Sequence, residues 1–300
     1  MSPGRGFGHP AARADAAAGA VLDDRYLLTG RLGRGGMAEV WAADDLVLRR
    51  PVAVKMFRFG SAGAEVGHID AEKRTLAALS HPGVVRVYNA GAEGAPSGVE
   101  RTRTPYLVME LVDGQTLSDR IAQGPLSAVE VHELGAQLSD TLAYLHGRGV
   151  VHRDIKPANL LLHAAAGDEP PTLRARLTDF GVARLVGSTH IAEIGITIGT
   201  PNYLSPEQAT GAEAGPPTDV YALGLVLLES HTAQVAYPGF GAEAALARLR
   251  RPPHIPDALG EGWSALLRAM TAAQPVDRPS AAEVSAELGG WQAADRTSVG

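Results

Sequence analysis

The sequence of 300 residues contains no cysteine. This absence excludes disulfides, thiolate metal sites and cysteine nucleophiles, and it fits a reducing compartment. Basic residues are also in deficit, with 27 Lys and Arg against 33 Asp and Glu and a formal net charge of −6. Such a balance argues against the broad basic surface of a nucleic-acid-binding protein. We therefore expect a cytoplasmic protein with no nucleic-acid partner.

Long hydrophobic runs are absent as well. No stretch reaches the roughly 18 apolar residues that a membrane helix requires, which predicts no membrane span. Residues 1–22 are rich in Ala, Gly and Pro, and Arg13 and Asp15 interrupt the apolar core that a secretory signal would need. We predict a disordered tail at residues 1–22 and a second tail at residues 291–300.

The pattern of apolar residues between these tails changes near residue 112. Segments 26–33, 39–43 and 51–57 are short, rich in Val, Leu and aromatic residues, and separated by turn residues, which predicts strands. Segment 64–79 instead carries apolar residues at near-helical spacing and predicts one helix. The first part of the chain therefore predicts a sheet with a single helix.

Helical periodicity dominates the second part of the chain. Apolar residues recur at steps of three and four in 127–146, and segment 219–230 is almost entirely apolar, which predicts a helix buried on every side. Two shorter helices are predicted at 263–273 and 280–289. We therefore predict an α+β fold with two lobes, a small β-rich lobe at residues 23–112 and a larger helical lobe at residues 113–290.

Three glycines, Gly33, Gly35 and Gly36, lie between the first two predicted strands. Glycine lets backbone N–H groups approach phosphate oxygens closely, although an isolated glycine turn is more often a simple hairpin. The segment is not a Walker loop, because no Gly-Lys-Ser/Thr follows. Lys55 on a later strand favours phosphate binding, since strand alternation directs it inward, where it needs a carboxylate partner. The candidates are Glu72, which is best placed, and then Asp70 and Glu65.

The most informative stretch is His152-Arg153-Asp154-Ile155-Lys156-Pro157-Ala158-Asn159, which is followed by Asp179-Phe180-Gly181. It supplies a candidate base, a cation, and carboxylate and amide metal ligands at fixed spacing. Transfer of a phosphoryl group from a magnesium-bound nucleotide requires these groups. Asp154 alone could cap a turn, and Asp179 alone could begin a reverse turn. Their coincidence favours phosphoryl transfer.

Together these segments resemble the protein serine/threonine kinase family, and in particular its bacterial (Hanks-type) branch. The family's motifs occur in order, from the glycine segment through Val52-Ala53-Val54-Lys55, the stretch from His152 and Asp179-Phe180-Gly181 to Ser205-Pro206-Glu207. The resemblance covers about residues 24–290. It implies a bilobal protein-kinase fold, ATP and Mg²⁺ or Mn²⁺ as cofactors, Ser- or Thr-containing proteins as substrates, and a homodimer for trans-autophosphorylation.

The resemblance also implies roles for single residues around the reaction. Asp154 would orient the substrate hydroxyl and accept its proton, and Lys156 would stabilise the transferred phosphate. Asn159 and Asp179 would hold the metal ions. His152 is expected to be structural and not a base.

A second set of residues would bind the nucleotide by the same resemblance. Lys55, paired with Glu72, would orient the α- and β-phosphates. Backbone groups of Glu110 and Val112 would form the hydrogen-bonding edge for the adenine. The other expected contacts are Leu32, Gly33, Gly35, Gly36, Val40, Ala53, Met109 and Leu161.

Residues 182–204 correspond to the activation segment of the family. Arg153, directly before Asp154, implies a segment that is ordered by a phosphate, because a cation near the base needs an anion. The candidate acceptors are Ser188, Thr189 and Thr197. Many bacterial relatives carry a threonine pair where this sequence has Ile191-Ala192-Glu193-Ile194. One hypothesis is that Glu193 supplies a constitutive negative charge.

Four further residues have expected contacts in the helical lobe. Thr200 would contact Asp154 and Lys156 as the residue that selects Ser and Thr, next to the turn that docks the substrate. Asp219 would accept hydrogen bonds from the catalytic-loop backbone, and Glu207 would pair with Arg278, because a buried acid and a buried cation each need a partner.

Two other function classes compete with an active protein kinase. A pseudokinase scaffold would bind nucleotide without transfer, but such proteins lose a lysine, base or metal-binding position, and Lys55, Asp154 and Asp179 are all present. A small-molecule phosphotransferase of kinase-like fold would lack the Ser205-Pro206-Glu207 turn and its Arg278 partner. The sequence therefore favours protein phosphorylation.

Overall fold

The structure is a computed structural model that describes residues 18–35, 38–57, 79–94, 103–164, 173–179, 201–239 and 241–297. The chain divides into two units. The first comprises Met1–Gly63 and Val87–Leu111, and the second comprises Ala64–Arg86 and Val112–Gly300. The first unit is built from strands, and the second is predominantly helical, as the sequence predicts.

A six-stranded antiparallel sheet forms the first unit, in the order β1-β2-β3-β4-β6-β5. Apolar side chains alternate with others along its strands, so that one face packs into a core. The strands are β1 (Val21–Leu22), β2 (Tyr26–Arg34), β3 (Ala38–Asp45), β4 (Arg50–Phe57), β5 (Val87–Gly94) and β6 (Arg103–Glu110).

Strand β4 shows how this alternation positions candidate site residues. Val52 and Val54 are fully buried in a cluster with Trp41 of β3. Successive side chains on a strand point to opposite faces, so Ala53 and Lys55 lie on the other face of the sheet. The sheet thus separates its main hydrophobic core from the face that carries the candidate lysine.

The second unit combines a three-stranded sheet with α-helices. The strands pair in the order β7-β8-β9 and are Gln115–Thr116, Leu160–Ala164 and Leu173–Leu177. The helices of the described residues are α1 (Leu117–Ile121), α2 (Ala128–His146), α3 (Pro206–Ala209), α4 (Pro216–Thr232), α5 (Gly241–Arg250), α6 (Glu261–Met270) and α7 (Ala281–Thr297). None of these described helices is long and apolar enough to cross a membrane.

Helices α2 and α4 form the centre of this unit. Ser127 caps α2 through a reciprocal capping box with Glu130, which satisfies backbone donors that the first turn leaves unpaired. Every residue of α4 from Thr218 to Ser230 is buried, which confirms the predicted helix with no solvent-facing side. The helix ends at Ala233 in the left-handed conformation.

The predicted domain boundaries need three corrections. Residues 21 and 22 form β1 and pair with β2, so the first lobe begins before residue 23. Residues 291–297 are not a tail but the end of α7, where the Trp291 ring packs edge-on against Trp263 with ring centroids 5.1 Å apart. Residues 79–86 pack in the second unit, because the N–H of Val85 donates to the Leu177 carbonyl and the N–H of Leu177 in β9 donates to the Gly83 carbonyl.

Three helices, α1, α3 and α5, were missed from the sequence. Helix α3 has only four residues. Helix α1 has only five residues, too few to show a helical period. Helix α5 is rich in Ala, and most of its buried side chains are small. Its one large buried side chain is Arg248, which no hydrophobic pattern reveals.

Candidate active site

The catalytic-loop candidates converge on the carboxylate of Asp154. Its side chain is 50% exposed, and Lys156 Nζ donates to both of its oxygens at 3.0 and 2.8 Å. Asn159 Nδ2 donates to Asp154 Oδ2 at 2.9 Å and to the Asp154 carbonyl at 2.8 Å. A short 3₁₀ turn, Pro157–Asn159, carries the chain from the lysine into β8. The carboxylate is therefore held from two sides while one part of it remains accessible.

Asp219 of α4 anchors the backbone of the catalytic loop. Its carboxylate is fully buried and accepts hydrogen bonds from the backbone N–H groups of His152 at 2.8 Å and Arg153 at 2.7 Å. The hydrogen bonds predicted between Asp219 and the loop backbone are therefore present. Arg153 has φ +66°, which is unfavourable for a residue with a side chain, so the loop needs such an anchor.

His146, at the end of α2, is a partner of Asp219 that the sequence did not indicate. Its Nε2 lies 2.9 Å from Asp219 Oδ2, which also accepts the N–H of His152. Gln208 adds a further contact to the loop, since its Nε2 donates to the Arg153 carbonyl at 2.9 Å. These residues lie 55 or more positions from their partners in the chain, so local spacing could not have revealed them.

His152 is buried and has a defined role in packing. The N–H of Asp154 donates to His152 Nδ1 at 3.2 Å, so Nδ1 must be the acceptor. The other ring nitrogen, Nε2, lies 3.0 Å from the Thr178 carbonyl and must donate to it. The ring therefore carries its proton on Nε2, and neither nitrogen is available as a base in this arrangement.

Asn159 and Asp179 are brought together by pairing between β8 and β9. The N–H of Thr178 donates to the Asn159 carbonyl at 3.0 Å, and Asp179 follows directly with φ +63°. The Asn159 amide nitrogen is engaged with Asp154, which leaves the amide oxygen as the donor for a metal. Carboxylate and amide oxygens suit Mg²⁺. No cluster of three or more His, Cys, Asp or Glu that could hold a metal is found among the described residues.

Glu207 and Arg278 form a buried pair, as expected from the sequence. The guanidinium donates to both carboxylate oxygens, at 2.7 and 2.8 Å, and the Thr218 hydroxyl donates to Glu207 at 2.6 Å. Burial by itself raises the pKa of Glu207, but the hydrogen bonds from Arg278 and Thr218 outweigh it and hold this pKa below its ordinary value. The pair ties the Ser205-Pro206-Glu207 turn to the segment between α6 and α7.

Replacing Arg278 by methionine is expected to lower the free energy of unfolding by roughly 3–5 kcal/mol at pH 7, because Glu207 would keep a buried charge without its cation. The stabilisation from Glu207 should be present above its ordinary pKa of 4.5 and be lost as the pH falls through the lower folded value. Urea unfolding of both proteins across this range measures the effect. Arg268→Met, at a 60% exposed position on α6, is the control. Equal unfolding free energies for the two variants at pH 7 would contradict the assignment.

The first unit carries the candidate nucleotide residues. Lys55 lies opposite Val40 of β3 and Leu107 of β6, and Ala53 lies opposite Met109. Lys55 Nζ lies 5.6 Å from the centroid of the Phe57 ring. Glu110 ends β6, and Val112 is the first residue beyond the boundary between the two units.

The glycine segment of this unit is described only in part. Leu32, which precedes it, is 55% exposed. Gly33 pairs with Val40, and the N–H of Gly35 donates to the Ala38 carbonyl at 2.8 Å. Gly33 and Gly35 therefore lie at the ends of β2 and β3 where these two antiparallel strands pair. In the second unit, Leu161 lies in β8 opposite Arg176.

Several predicted residues lie outside the described part of the chain. They include the expected partner of Lys55, the activation-segment candidates and the residue expected to select Ser and Thr. The predicted roles of the following residues stay untested: Gly36, Glu72, Ser188, Thr189, Glu193, Thr197 and Thr200.

Comparisons with known proteins identify the class of domain. The protein kinase domain family matches residues 26–287. The chain therefore belongs to the protein kinase family, and its curated relatives place it in the bacterial Hanks-type serine/threonine branch.

Two relatives from Mycobacterium tuberculosis and one solved structure illustrate the similarity. Serine/threonine-protein kinase PknB is 38% identical over 278 residues, which cover 89% of this chain and 43% of PknB. Serine/threonine-protein kinase PknA is 38% identical over 239 residues, covering 78% of this chain and 53% of PknA. The chain thus spans about half the length of these relatives. The crystal structure of Rad53 1-466 in complex with AMP-PNP shares the fold, with a TM-score of 0.68 at 24% identity over 87% of this chain and 64% of that chain.

Proposed function

We propose that this chain is an active serine/threonine protein kinase, which transfers the γ-phosphate of ATP to Ser or Thr hydroxyls of proteins and of itself. The observation that carries the proposal is the arrangement around Asp154. Its half-exposed carboxylate is oriented by Lys156 and Asn159, on a loop that the buried Asp219 anchors. A pseudokinase would have no need for an oriented, accessible carboxylate at this position.

The chemistry follows from the charges in this loop. Asp154 would accept the proton of the substrate hydroxyl while the hydroxyl oxygen forms a bond to the γ-phosphorus. The bond between this phosphorus and the departing ADP oxygen would break. Lys156, whose Nζ lies within 3.0 Å of both carboxylate oxygens, is placed to stabilise negative charge on the transferred phosphoryl group.

Metal and nucleotide binding would use the residues that the family resemblance implies. Asn159 and Asp179 would hold Mg²⁺, which neutralises charge on the phosphates when bound. Lys55 and the glycine segment would bind the phosphates, with Glu72 as the partner of the lysine. Leu32, Val40, Ala53, Met109, Leu161 and the backbones of Glu110 and Val112 would contact the adenine. Manganese would suit the same oxygen ligands.

The decisive experiment is an ATP–Mg²⁺ transfer assay on a generic acceptor protein, with Lys55→Met beside the wild type. We expect wild-type transfer and at least a roughly 10²-fold loss in Lys55→Met, since one cation at the phosphates is worth several kcal/mol in a water-excluded site. Arg49→Met, at an exposed position in the β3–β4 turn, is the control and should behave as wild type. Transfer by Lys55→Met at the wild-type rate would contradict the proposal.

The homodimer, the cytoplasmic location and the lack of a nucleic-acid partner stay predictions.

A further inference from the structure

Arg248 is a buried cation that the reaction described above does not use. It lies in α5, is only 4% exposed, and directs its guanidinium at backbone carbonyls. Within its own helix it donates to Ala245 and Ala244, both at 2.9 Å. Its remaining hydrogen bonds are made outside the helix, to the segment of residues 201–204.

The contacts with residues 201–204 are the more informative half of this arrangement. Arg248 Nη2 donates to the Pro201 carbonyl at 2.5 Å. Its Nη1 donates to the carbonyl of Leu204 and, more weakly, to that of Asn202 at 3.4 Å. One side chain therefore bridges carbonyls on both ends of a short 3₁₀ turn, Pro201–Tyr203. Only arginine carries enough donors in a fixed planar fork to do this.

The surroundings of the Arg248 guanidinium show how its buried charge is compensated. No carboxylate forms a salt bridge with Arg248 within the part of the chain that the structure describes. Its charge is offset instead by carbonyl dipoles and by the Tyr237 ring, whose centroid lies 4.8 Å away. Burial lowers the pKa of Arg248, so the site is costly to maintain.

Helix α4 also binds this turn. The Tyr203 hydroxyl donates to Glu229 at 2.6 Å, and burial, followed by the charge of Glu229, raises the pKa of Tyr203. The Asn202 amide, with its nitrogen turned toward them, donates to the carbonyls of Tyr237 and Gly239 at 3.3 Å. Residues 201–204 are thus clamped between two helices immediately before Ser205-Pro206-Glu207.

We propose that Arg248 is a positioning residue for the docking of the protein substrate, acting by fixing the backbone of residues 201–204. The inference rests on the proposed kinase activity, in which the turn at residues 201–207 receives the polypeptide that carries the Ser or Thr. Loss of the clamp would let the turn shift while Asp154, which Lys156 and Asn159 hold, keeps its place.

The test compares Arg248→Met and Arg248→Lys with Arg250→Met, an exposed position on the same helix. KM for a peptide substrate, KM for ATP, kcat and the free energy of unfolding are measured for each. We expect KM for the peptide to rise roughly ten- to hundredfold in both Arg248 variants, as the loss of charge-assisted hydrogen bonds implies, with KM for ATP unchanged. Lysine should not rescue, because it keeps the charge but not the fork. Arg250→Met should match the wild type.

Two results would overturn the role of Arg248. One is a folded Arg248→Met protein with wild-type KM for the peptide, and the other is an equal rise in KM for ATP, which would indicate a general structural role. Hydrogen exchange of the wild type needs no variant. The amides of residues 202–204 and of α5 should gain protection together when the peptide binds. Protection of residues 202–204 without α5 would also contradict the inference. A wild type that transfers no phosphate would instead contradict the kinase proposal itself.

Discussion

Asp154→Asn is expected to lower kcat for phosphoryl transfer by roughly 10²–10⁴-fold, the usual contribution of a positioned general base. Asparagine has nearly the same shape, and its oxygen can still accept a hydrogen bond from Lys156 or Asn159, so the loop should keep its position. The amide cannot take the proton of the substrate hydroxyl. The loss should therefore fall on kcat, with KM for ATP and the free energy of unfolding close to wild type.

Single-turnover transfer from ATP, with unfolding in urea alongside, measures this prediction. Asp257→Asn is the matched control, because Asp257 is a fully exposed carboxylate remote in sequence from the loop. It should leave both quantities unchanged. If Asp154→Asn retained the wild-type kcat, Asp154 would not be the base, and the half-exposed carboxylate would need another explanation.

Asp219→Ala is expected to have the second large effect, on stability and activity together. The substitution removes the acceptor of the buried N–H of His152, the acceptor of the partly buried N–H of Arg153, and the partner of His146. Unpaired buried donors cost about 1–3 kcal/mol each, which predicts a loss of about 3 kcal/mol in the free energy of unfolding. Because Arg153 has φ +66°, the released loop should relax and displace Asp154. A displacement of about 1 Å can lower the rate roughly 10²-fold.

This prediction is checked by kcat at a temperature where Asp219→Ala remains folded, so that activity is not confused with unfolding. Hydrogen exchange at residues 152 and 153 adds a local measure and should be faster in the variant. Asp257→Ala again provides the comparison. Wild-type exchange at these amides, together with wild-type kcat, would show that Asp219 does not anchor the loop.

The catalytic loop was predictable because its chemistry is local. Asp154, Lys156 and Asn159 lie within six residues, and a 3₁₀ turn brings their side chains together. The continuous burial of α4 was predictable for a similar reason, since an apolar run without a polar face has only one stable environment. The partnership of Glu207 and Arg278, which are 71 residues apart, needed the family resemblance in addition to the rule that buried charges pair.

Other contacts were not predictable because nothing local encodes them. His146 lies at the polar end of an amphipathic helix, where a histidine ordinarily faces solvent, and only the tertiary fold brings it to Asp219. Arg248 reads as a surface cation in an alanine-rich segment, yet its partners lie 44 to 47 residues earlier and are backbone carbonyls without a sequence signature. The C-terminal end of α7 and the whole of strand β1 were missed because the glycines and alanines nearby make the sequence resemble a tail.

The most direct test of the central claim is phosphosite mapping by mass spectrometry. Phosphatase-treated wild-type protein and Asp154→Asn are each incubated with ATP, Mg²⁺ and an acceptor protein. We predict new phosphoserine or phosphothreonine, and no phosphotyrosine, on the acceptor and on this chain, with Ser188, Thr189 and Thr197 as the expected sites on the chain. Asp154→Asn should yield none of these. No incorporation by the wild type, or equal incorporation by both proteins, would contradict the account.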